Sequence, residues 1–346
     1  MAQKSPLPVR NGVNATRLKV PLTGHWGTVH QYVLEVFGHI DPAGISDRFH
    51  RGEVVDSAGA PLTVQSPLGT AEFIWYYRSL PEETPLPVTE RVLFEDEHLL
   101  VVDKPHFLPT TPAGRYVQES LLVRLRHRLG LPDLVPIHRL DRGTAGVVLF
   151  AKNPQTRGAY QLLFEKRRVA KTYQCVSLIT GRPEAVAARF PLTVRNRIEK
   201  TKGVLRSRLV AYAPEASGLK AGAAAPGRKA SGVSPPPEPT EANSSSRIEL
   251  LEQGQNRSGR GVGLFRLTPH TGKTHQLRLH MALLGLGILH DRFYPELWDD
   301  APDDFDAPLQ LLAHSLSFTD PLSGTPRHFV SERRLVEAPE DPGLRA

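Results

Sequence analysis

The chain has 346 residues, 40% hydrophobic and 23% charged, with a formal net charge of +7 from 43 Lys and Arg against 36 Asp and Glu. That length can bury a full core and has room for more than one domain, and the positive balance favours polyanionic partners, nucleic acid first. One cysteine, Cys175, excludes a disulfide framework, a zinc ribbon or a Cys-x-x-Cys redox pair within one chain. No apolar run approaches the roughly 20 residues that span a bilayer, and residues 1–22 lack the continuous apolar core of a secretory signal. The expectation is a cytoplasmic protein.

Taken in chain order, residues 29–37 place Val29, Tyr32, Val33, Val36 and Phe37 on one helical stripe. A second short helix is expected over 45–51, a strand and turn over 52–59, and a strand over 71–77. Together they suit a small accessory domain, residues 1–85. The prolines of 81–87 read as a stiff extended linker. The second domain, 86–346, opens with strands at 92–94 and 99–103 around the acidic turn Glu95-Asp96-Glu97, a hairpin pattern. Val117, Leu121, Leu125 and Leu129 have helical spacing, with Gly130 in the position that ends such a helix. Asn153-Pro154 reads as a cap and first-turn pair opening a helix through Phe164.

Strands are expected at 147–151, 172–179, 204–212, 247–251 and 262–267. Cys175 falls in the second of these, where a core role is the simplest one. Residues 213–246 are dominated by Ala, Pro, Ser and Gly, and cannot offset an ordering cost of about 1–2 kcal/mol per residue. They read as a disordered insertion in a strand-strand loop. The fold expected is α+β, a mixed and mostly antiparallel sheet with a central catalytic cleft.

The most informative run is His138-Arg139-Leu140-Asp141-Arg142-Gly143-Thr144-Ala145-Gly146, which sets one carboxylate between two arginines just before a buried strand. A lone turn Asp usually satisfies local backbone donors. Here the neighbouring guanidinium groups favour its ionised form, which suits a nucleophile or electrostatic stabiliser better than a general acid. In a second run, Thr271 to His280, a glycine turn leads into a helix with Thr274, His275 and Arg278 near its start, where the helix field favours anions. Arg278 is a solvated helix charge on the plain reading and the partner of a buried Asp on the functional one. The spacings of His270, His275 and His280 do not align on one helical face, so no metal is expected. Third, Lys171-Thr172-Tyr173 starts a strand with a tyrosine that either edges the sheet or stacks on a base. The basic runs 124–128, 166–171 and 195–208 around one sheet suggest a phosphate-binding surface.

These segments together resemble the RluA family of pseudouridine synthases. The resemblance runs from about 92 to 329 without the insertion. It rests on Glu95-Asp96 and Asp103-Lys104-Pro105, on 138–152, on 272–280, and on closing pieces at 289–294 and 311–318. It implies that Asp141 is the nucleophile, Arg278 its salt-bridge partner, Tyr173 the active-site tyrosine, and Arg142 the residue that holds the target nucleotide out of its helix. Arg139, Thr144, Lys171, Lys273 and His275 are then expected among the RNA-contacting residues. The implied reaction converts a uridine in structured ribosomal or transfer RNA to pseudouridine without cofactor or metal, in a monomer. Ala145, Lys273 and His290-Asp291-Arg292 depart from the family's Ser, Arg and Gly-Asp. Residues 106–112 also differ from the simpler loop that follows Lys-Pro, and residues 1–85 resemble the alpha-L RNA-binding module. The rival readings are a catalytically silent RNA-binding or assembly factor, and a metal-assisted hydrolase using the histidines.

Overall fold

The computed structural model describes residues 5–80, 82–212, 242–297 and 302–340. The chain divides into two compact units, Met1–Pro85 with Thr111–Leu134, and Leu86–Thr110 with Val135–Ala346. Residues 111–134, placed by the sequence reading in the second domain, therefore group with the first.

The first unit pairs β1 (Thr16–Lys19) with β2 (Phe73–Tyr76) in an antiparallel ribbon. Helix α1 (Val29–Phe37) begins at a capping box, in which Thr28 accepts the Gln31 amide and Gln31 reaches back to the Thr28 amide. Helix α2 (Pro42–His50) starts three residues before the expected 45. Asp41 caps it by accepting the Gly44 amide at 2.9 Å, and Pro42 occupies the first turn, where its missing N–H costs nothing. Val29, Val33, Ile45, Phe49, Val54 and Ile74 form the core of this unit. The stretch 52–59 is turn rather than strand, with only Val55 bridging to Pro61 and Trp75. Helix α3 (Leu121–Leu129) ends at Gly130 in left-handed backbone (φ 64°), as its sequence predicts. It joins this unit because it buries Leu121, Leu122, Val123 and Leu125, and because Arg126 is spent internally on Leu134 O, Gly12 O and Asn14 Oδ1. Glu83, in the proline-rich stretch read as a linker, accepts the amides of Val117, Gln118 and Glu119.

The second unit is built on one sheet. Its strands are β3 (Arg91–Glu95), β4 (Leu99–Lys104), β5 (Val135–Pro136), β6 (Ala145–Ala151), β7 (Ala170–Leu178), β8 (Leu192–Glu199), β9 (Arg208–Tyr212), β10 (Ser244–Gln255), β11 (Gly261–Pro269), β12 (Leu311–Thr319) and β13 (Pro326–Val330). The order is β3-β4-β6-β12-β7-β11-β10-β8-β9, with β5 on β6 and β13 on β12. Only β6 and β12 run parallel; the other pairs are antiparallel. Strands β4 and β6 are buried along their whole length; the sequence of β6 is unbroken apolar, whereas β4 ends on the buried charged pair Asp103-Lys104. Helix α4 (Arg157–Glu165) packs Tyr160 and Leu163 on Leu99, Val101, Val147 and Leu149. Helix α5 (Pro183–Ala187) is a single turn, and α6 (Gln276–Leu283) packs Leu277 and Met281 on Cys175, Ile248, Phe265 and Leu267. Cys175 is thus a core residue, as expected.

Three expectations change here. The helix after Asn153 opens only at Arg157, because the Asn153 side chain accepts the Gln155 amide and makes a turn first. Strand β8 lies in what reads as a basic run: Val194, Asn196 and Ile198 point inward, while Thr193 and Arg195 face out. The insertion also ends earlier than 246. Ser244, Ser245 and Ser246 are strand β10, paired with Asn196, Arg195 and Val194, and Ser244 and Ser246 are buried. Residues 213–241 lie outside the described ones.

Candidate active site

The turn carrying Asp141 enters the sheet at the parallel β6–β12 pair. Gly146 has φ 113°, and a Cβ there would lie 2.2 Å from Ala313 O, so glycine is required for β12 to approach. Three side chains from residues 104–110 clamp the turn from behind. Lys104 donates to Pro105 O (2.9 Å), Leu108 O (2.7 Å) and Arg142 O (3.2 Å). His106 Nδ1 donates to Gly143 O at 2.7 Å, and Thr110 Oγ1 donates to Leu140 O at 2.8 Å. The carbonyls of 140, 142 and 143 are therefore all fixed, while the Asp141 side chain remains 32% exposed.

Lys104 is fully buried. Burial pushes its pKa down and Asp141 pulls it up. Three acceptor carbonyls match the three protons of an ammonium group, and a neutral amine would turn its lone pair on one of them, so the charged form is the one the geometry supports. Lys104→Met is expected to destabilise the protein by about 3 kcal/mol or more, since three carbonyls lose a donor. It should also slow turnover about 10–100-fold by loosening the turn, read by thermal unfolding and by kcat.

Around Asp141 the sheet and α6 bring together Tyr173 and His275, with Arg278 acting electrostatically. Tyr173 lies on β7, and its phenol is raised in pKa by burial and then by Asp141, so it stays protonated. His275 Nε2 is 3.7 Å from Asp141 Oδ2, and its Nδ1 is 3.0 Å from Tyr294 Oη, which also takes the Ser207 amide at 2.8 Å. Burial, with help from Arg278 and against Asp141, lowers the His275 pKa to about 4, so the ring is neutral at pH 7. Its backbone is left-handed (φ 58°), as are those of His290 (φ 61°) and Phe107 (φ 65°), a concentration of strained backbone at one site.

The expected Asp141–Arg278 salt bridge is corrected. Arg278 is bonded through two nitrogens to Asp291, with Nε 2.7 Å from Oδ2 and Nη2 on Oδ1. Both side chains are buried, Asp291 to 1% exposure. Burial opposes the Arg278 charge, but Asp291, Asp141 and Tyr294 together raise its pKa. Asp291 sits on the turn after α6 that also accepts the Phe293 amide at 2.8 Å. Sequence reasoning placed it only within a family variation, and no local signal ties it to Arg278, 13 residues before it.

Other predicted residues divide. Arg142 is near the site, but its guanidinium pairs with Asp303 (2.5 Å) and lies 5.8 Å from the Phe107 ring. Lys171 is half-buried and its ammonium lies beside the Gly272 turn. Arg139 and Lys273 are exposed. Thr144 is buried at 3% and its amide closes the turn on Asp141 O, which gives it a role in the turn itself. His138 also turns inward, accepting the Leu149 amide at 3.1 Å and stacking on Phe164. The run 124–128 belongs to the other unit, where Arg126 is buried and Arg124 pairs with Glu119. The three histidines have separate surroundings: His270 is exposed, His280 contacts Asn196 and Ser244, and His275 meets Asp141 and Tyr294.

The sequence model of the family described as RNA pseudouridylate synthase matches residues 98–283, which include the Asp141 turn, Tyr173, His275 and Arg278. The chain belongs to this family. It is 30% identical over 239 residues to the dual-specificity RNA pseudouridine synthase RluA of Vibrio vulnificus, covering 68% of this chain and 80% of that protein. The RluA of Yersinia pestis is 30% identical over 70% of this chain and 98% of its own length. The fold matches that of human RNA pseudouridylate synthase domain containing 1 with a TM-score of 0.51 at 21% identity, over 73% of this chain and 86% of that one. The protein is an RNA pseudouridine synthase, and the α+β, mostly antiparallel fold expected from the sequence is the one found. No helix of the described residues is long and apolar enough to cross a membrane.

Four histidines of the synthase are neutral, His275 and His280 buried and His106 and His138 half-buried: desolvation lowers His106, His275 and His280 to about 4 and His138 to about 3. Their folded-state pKa values lie below the unfolded value near 6.5, so the unfolded chain binds more protons between those limits. The stability they support is present above pH 6.5 and is lost as pH falls through about 4, by about 3 kcal/mol for fully buried His280. A steep fall in Tm between pH 6.5 and 4 is expected in thermal scans; a flat profile would mean the rings are solvated.

Proposed function

We propose that Asp141 is the nucleophile that breaks and remakes the glycosidic bond of a uridine in ribosomal or transfer RNA, and that the enzyme works as a cytoplasmic monomer. One observation carries the assignment. Of the two carboxylates in the site, Asp291 is buried and committed to Arg278, whereas Asp141 is a third exposed and has its backbone, not its oxygens, held in place. Only Asp141 is free to meet a base.

The chemistry needs little more than this. The bond from C1′ to N1 breaks, the detached uracil turns, and a bond from C1′ to C5 forms; N1 gains a proton and C5 loses one. Attack by a carboxylate provides a covalent way across, much as in retaining glycosidases, and no second acid is required because the uracil anion leaves and is kept in the pocket. Protonated Tyr173 offers a ring to the base and a hydroxyl that does not compete with Asp141 for the negative charge. Arg278 contributes a fixed positive charge near the carboxylate, positioned by Asp291. Extruding the uridine costs a few kcal/mol. Arg142 beside Phe107 is placed to fill the vacated stack once its guanidinium leaves Asp303.

The test is release of tritium from RNA carrying [5-³H]uridine, because only carbon-to-carbon rejoining frees that hydrogen. Release with the intact protein supports the assignment; absence of release with in vitro ribosomal and transfer RNA would favour a silent RNA-binding factor. Activity abolished by a chelator would favour the metal-dependent alternative.

A further inference from the structure

In the first unit, residues 10–13 form a two-residue hairpin. Arg10 and Val13 exchange both backbone hydrogen bonds, at 3.0 and 2.8 Å, around Asn11 (φ 48°) and Gly12 (φ 78°). Two successive left-handed residues are the pattern of a type I′ hairpin turn, which leaves the amides of both central residues outside the hairpin's own hydrogen bonds. Neither the Asn11 nor the Gly12 amide has an acceptor among the described residues. Gly12 itself is buried. The turn is locked in place: a Cβ on Gly12 would lie 2.5 Å from Val123 O, and Gly12 O accepts from Arg126.

Both residues line a cavity of about 400 Å³ together with Arg10, Tyr77, Arg78, Gln118 and Arg126, and its lining contains no carboxylate. The Arg10 guanidinium lies over the Tyr77 ring, 4.1 Å from its centroid, and Tyr77 Oη donates to Pro8 O. The Arg78 guanidinium has no acceptor among the described residues and is exposed. Arg126 is buried, and its charge is fixed by Asn14 and Leu134. The nearby carboxylate of Glu83 is taken up by the amides of 117–119.

We propose that this pocket is a phosphate site for a single-stranded segment of the RNA substrate. The Asn11 and Gly12 amides and the Arg10 and Arg78 guanidinium groups would donate to the phosphate oxygens, with the attached nucleoside beside Tyr77. A concave site of this volume admits a turned-out phosphate and its nucleoside but not the flank of a duplex. The anion site stands on the geometry alone; its assignment to RNA rests on the family reading. It lies outside the segments that carry the chemistry, so it acts on binding and not on the reacting atoms.

The experiment uses the full-length protein and fluorescein-labelled decauridylate, followed by anisotropy from 50 to 300 mM KCl. The R10A/R78A double variant is expected to raise Kd at least tenfold at 100 mM salt. It should also lower the slope of log Kd against log salt by about 0.7–1.4, the value for one or two single-strand phosphate contacts. R17A, an exposed arginine of the same unit outside the pocket, should leave both unchanged. On tritium release, the double variant should raise KM and leave kcat at saturating RNA within twofold. R78A alone repeats the measurement with an exposed side chain, should the double variant unfold. Equal Kd and slope in variant and wild type would overturn the site. Uridine 5′-monophosphate binding more tightly than decauridylate would assign it to a free nucleotide and overturn the RNA assignment. Failure of the catalytic reading shows separately, as loss of tritium release in a protein that still binds RNA through Arg10 and Arg78.

Discussion

Asp141→Asn is expected to lower tritium release at least about 10⁴-fold, the scale on which removal of a nucleophile acts. RNA affinity should stay within about threefold, since binding rests on charges elsewhere. The substitution is nearly isosteric at a side chain one-third exposed, so no buried charge is lost. The turn does not depend on the carboxylate either: Lys104, His106 and Thr110 hold its carbonyls, and the Thr144 amide closes on the Asp141 carbonyl. Tm is therefore expected to stay within a few degrees, separating loss of chemistry from loss of fold. A variant that retains a tenth of wild-type release would transfer the nucleophile to another group. Asp141→Glu should also fall by about 10²-fold, because one added methylene moves the oxygens by about 1 Å on a turn that cannot retreat.

Much of this fold was legible because its strands and helices carry their own period. The stripe on α1, the glycine ending α3 and the unbroken apolar run of β6 could each be read from neighbours a few residues away. Strand β8 was not, because its outward arginines dominate the composition while only Val194, Asn196 and Ile198 reveal the inward alternation. Ser244–Ser246 follow a low-complexity tract and resemble it, yet they pair with β8 and give Gln276 its acceptors, Ser245 O at 2.9 Å and Ser246 Oγ at 2.8 Å. That function depends on chain segments 30 residues apart and has no local signature.

The site shows the same division. Asp141, Tyr173 and Arg278 stand in runs whose residue types announce chemistry. The groups that hold them do not: Lys104 and Thr110 act through backbone carbonyls, and any long donor in place would look the same in sequence. His138 and Thr144 are the converse case, polar members of a conspicuous motif that the fold turns inward. Proximity in a motif identifies the turn, while burial decides which of its side chains remain available.

Arg278→Ala should cost about 3–5 kcal/mol of stability, because it leaves the Asp291 carboxylate buried without its cation. It should also reduce turnover below detection. Those two effects must be separated, since a destabilised enzyme is slow for uninteresting reasons. The double variant R278M/D291L removes both charges and refills their volume, and such replacements commonly recover stability. If Arg278 serves only to secure the turn after α6, the double variant should regain activity along with its Tm. If its charge also acts on Asp141, whose carboxylate in turn helps hold Arg278 charged, the double variant should fold and remain inactive. The second outcome is expected, because a carboxylate that must attack and then leave needs a fixed positive neighbour that does not bond to it directly. Pairing Arg278 with Asp291 supplies that neighbour: it anchors the guanidinium while leaving the Asp141 oxygens open to the nucleoside.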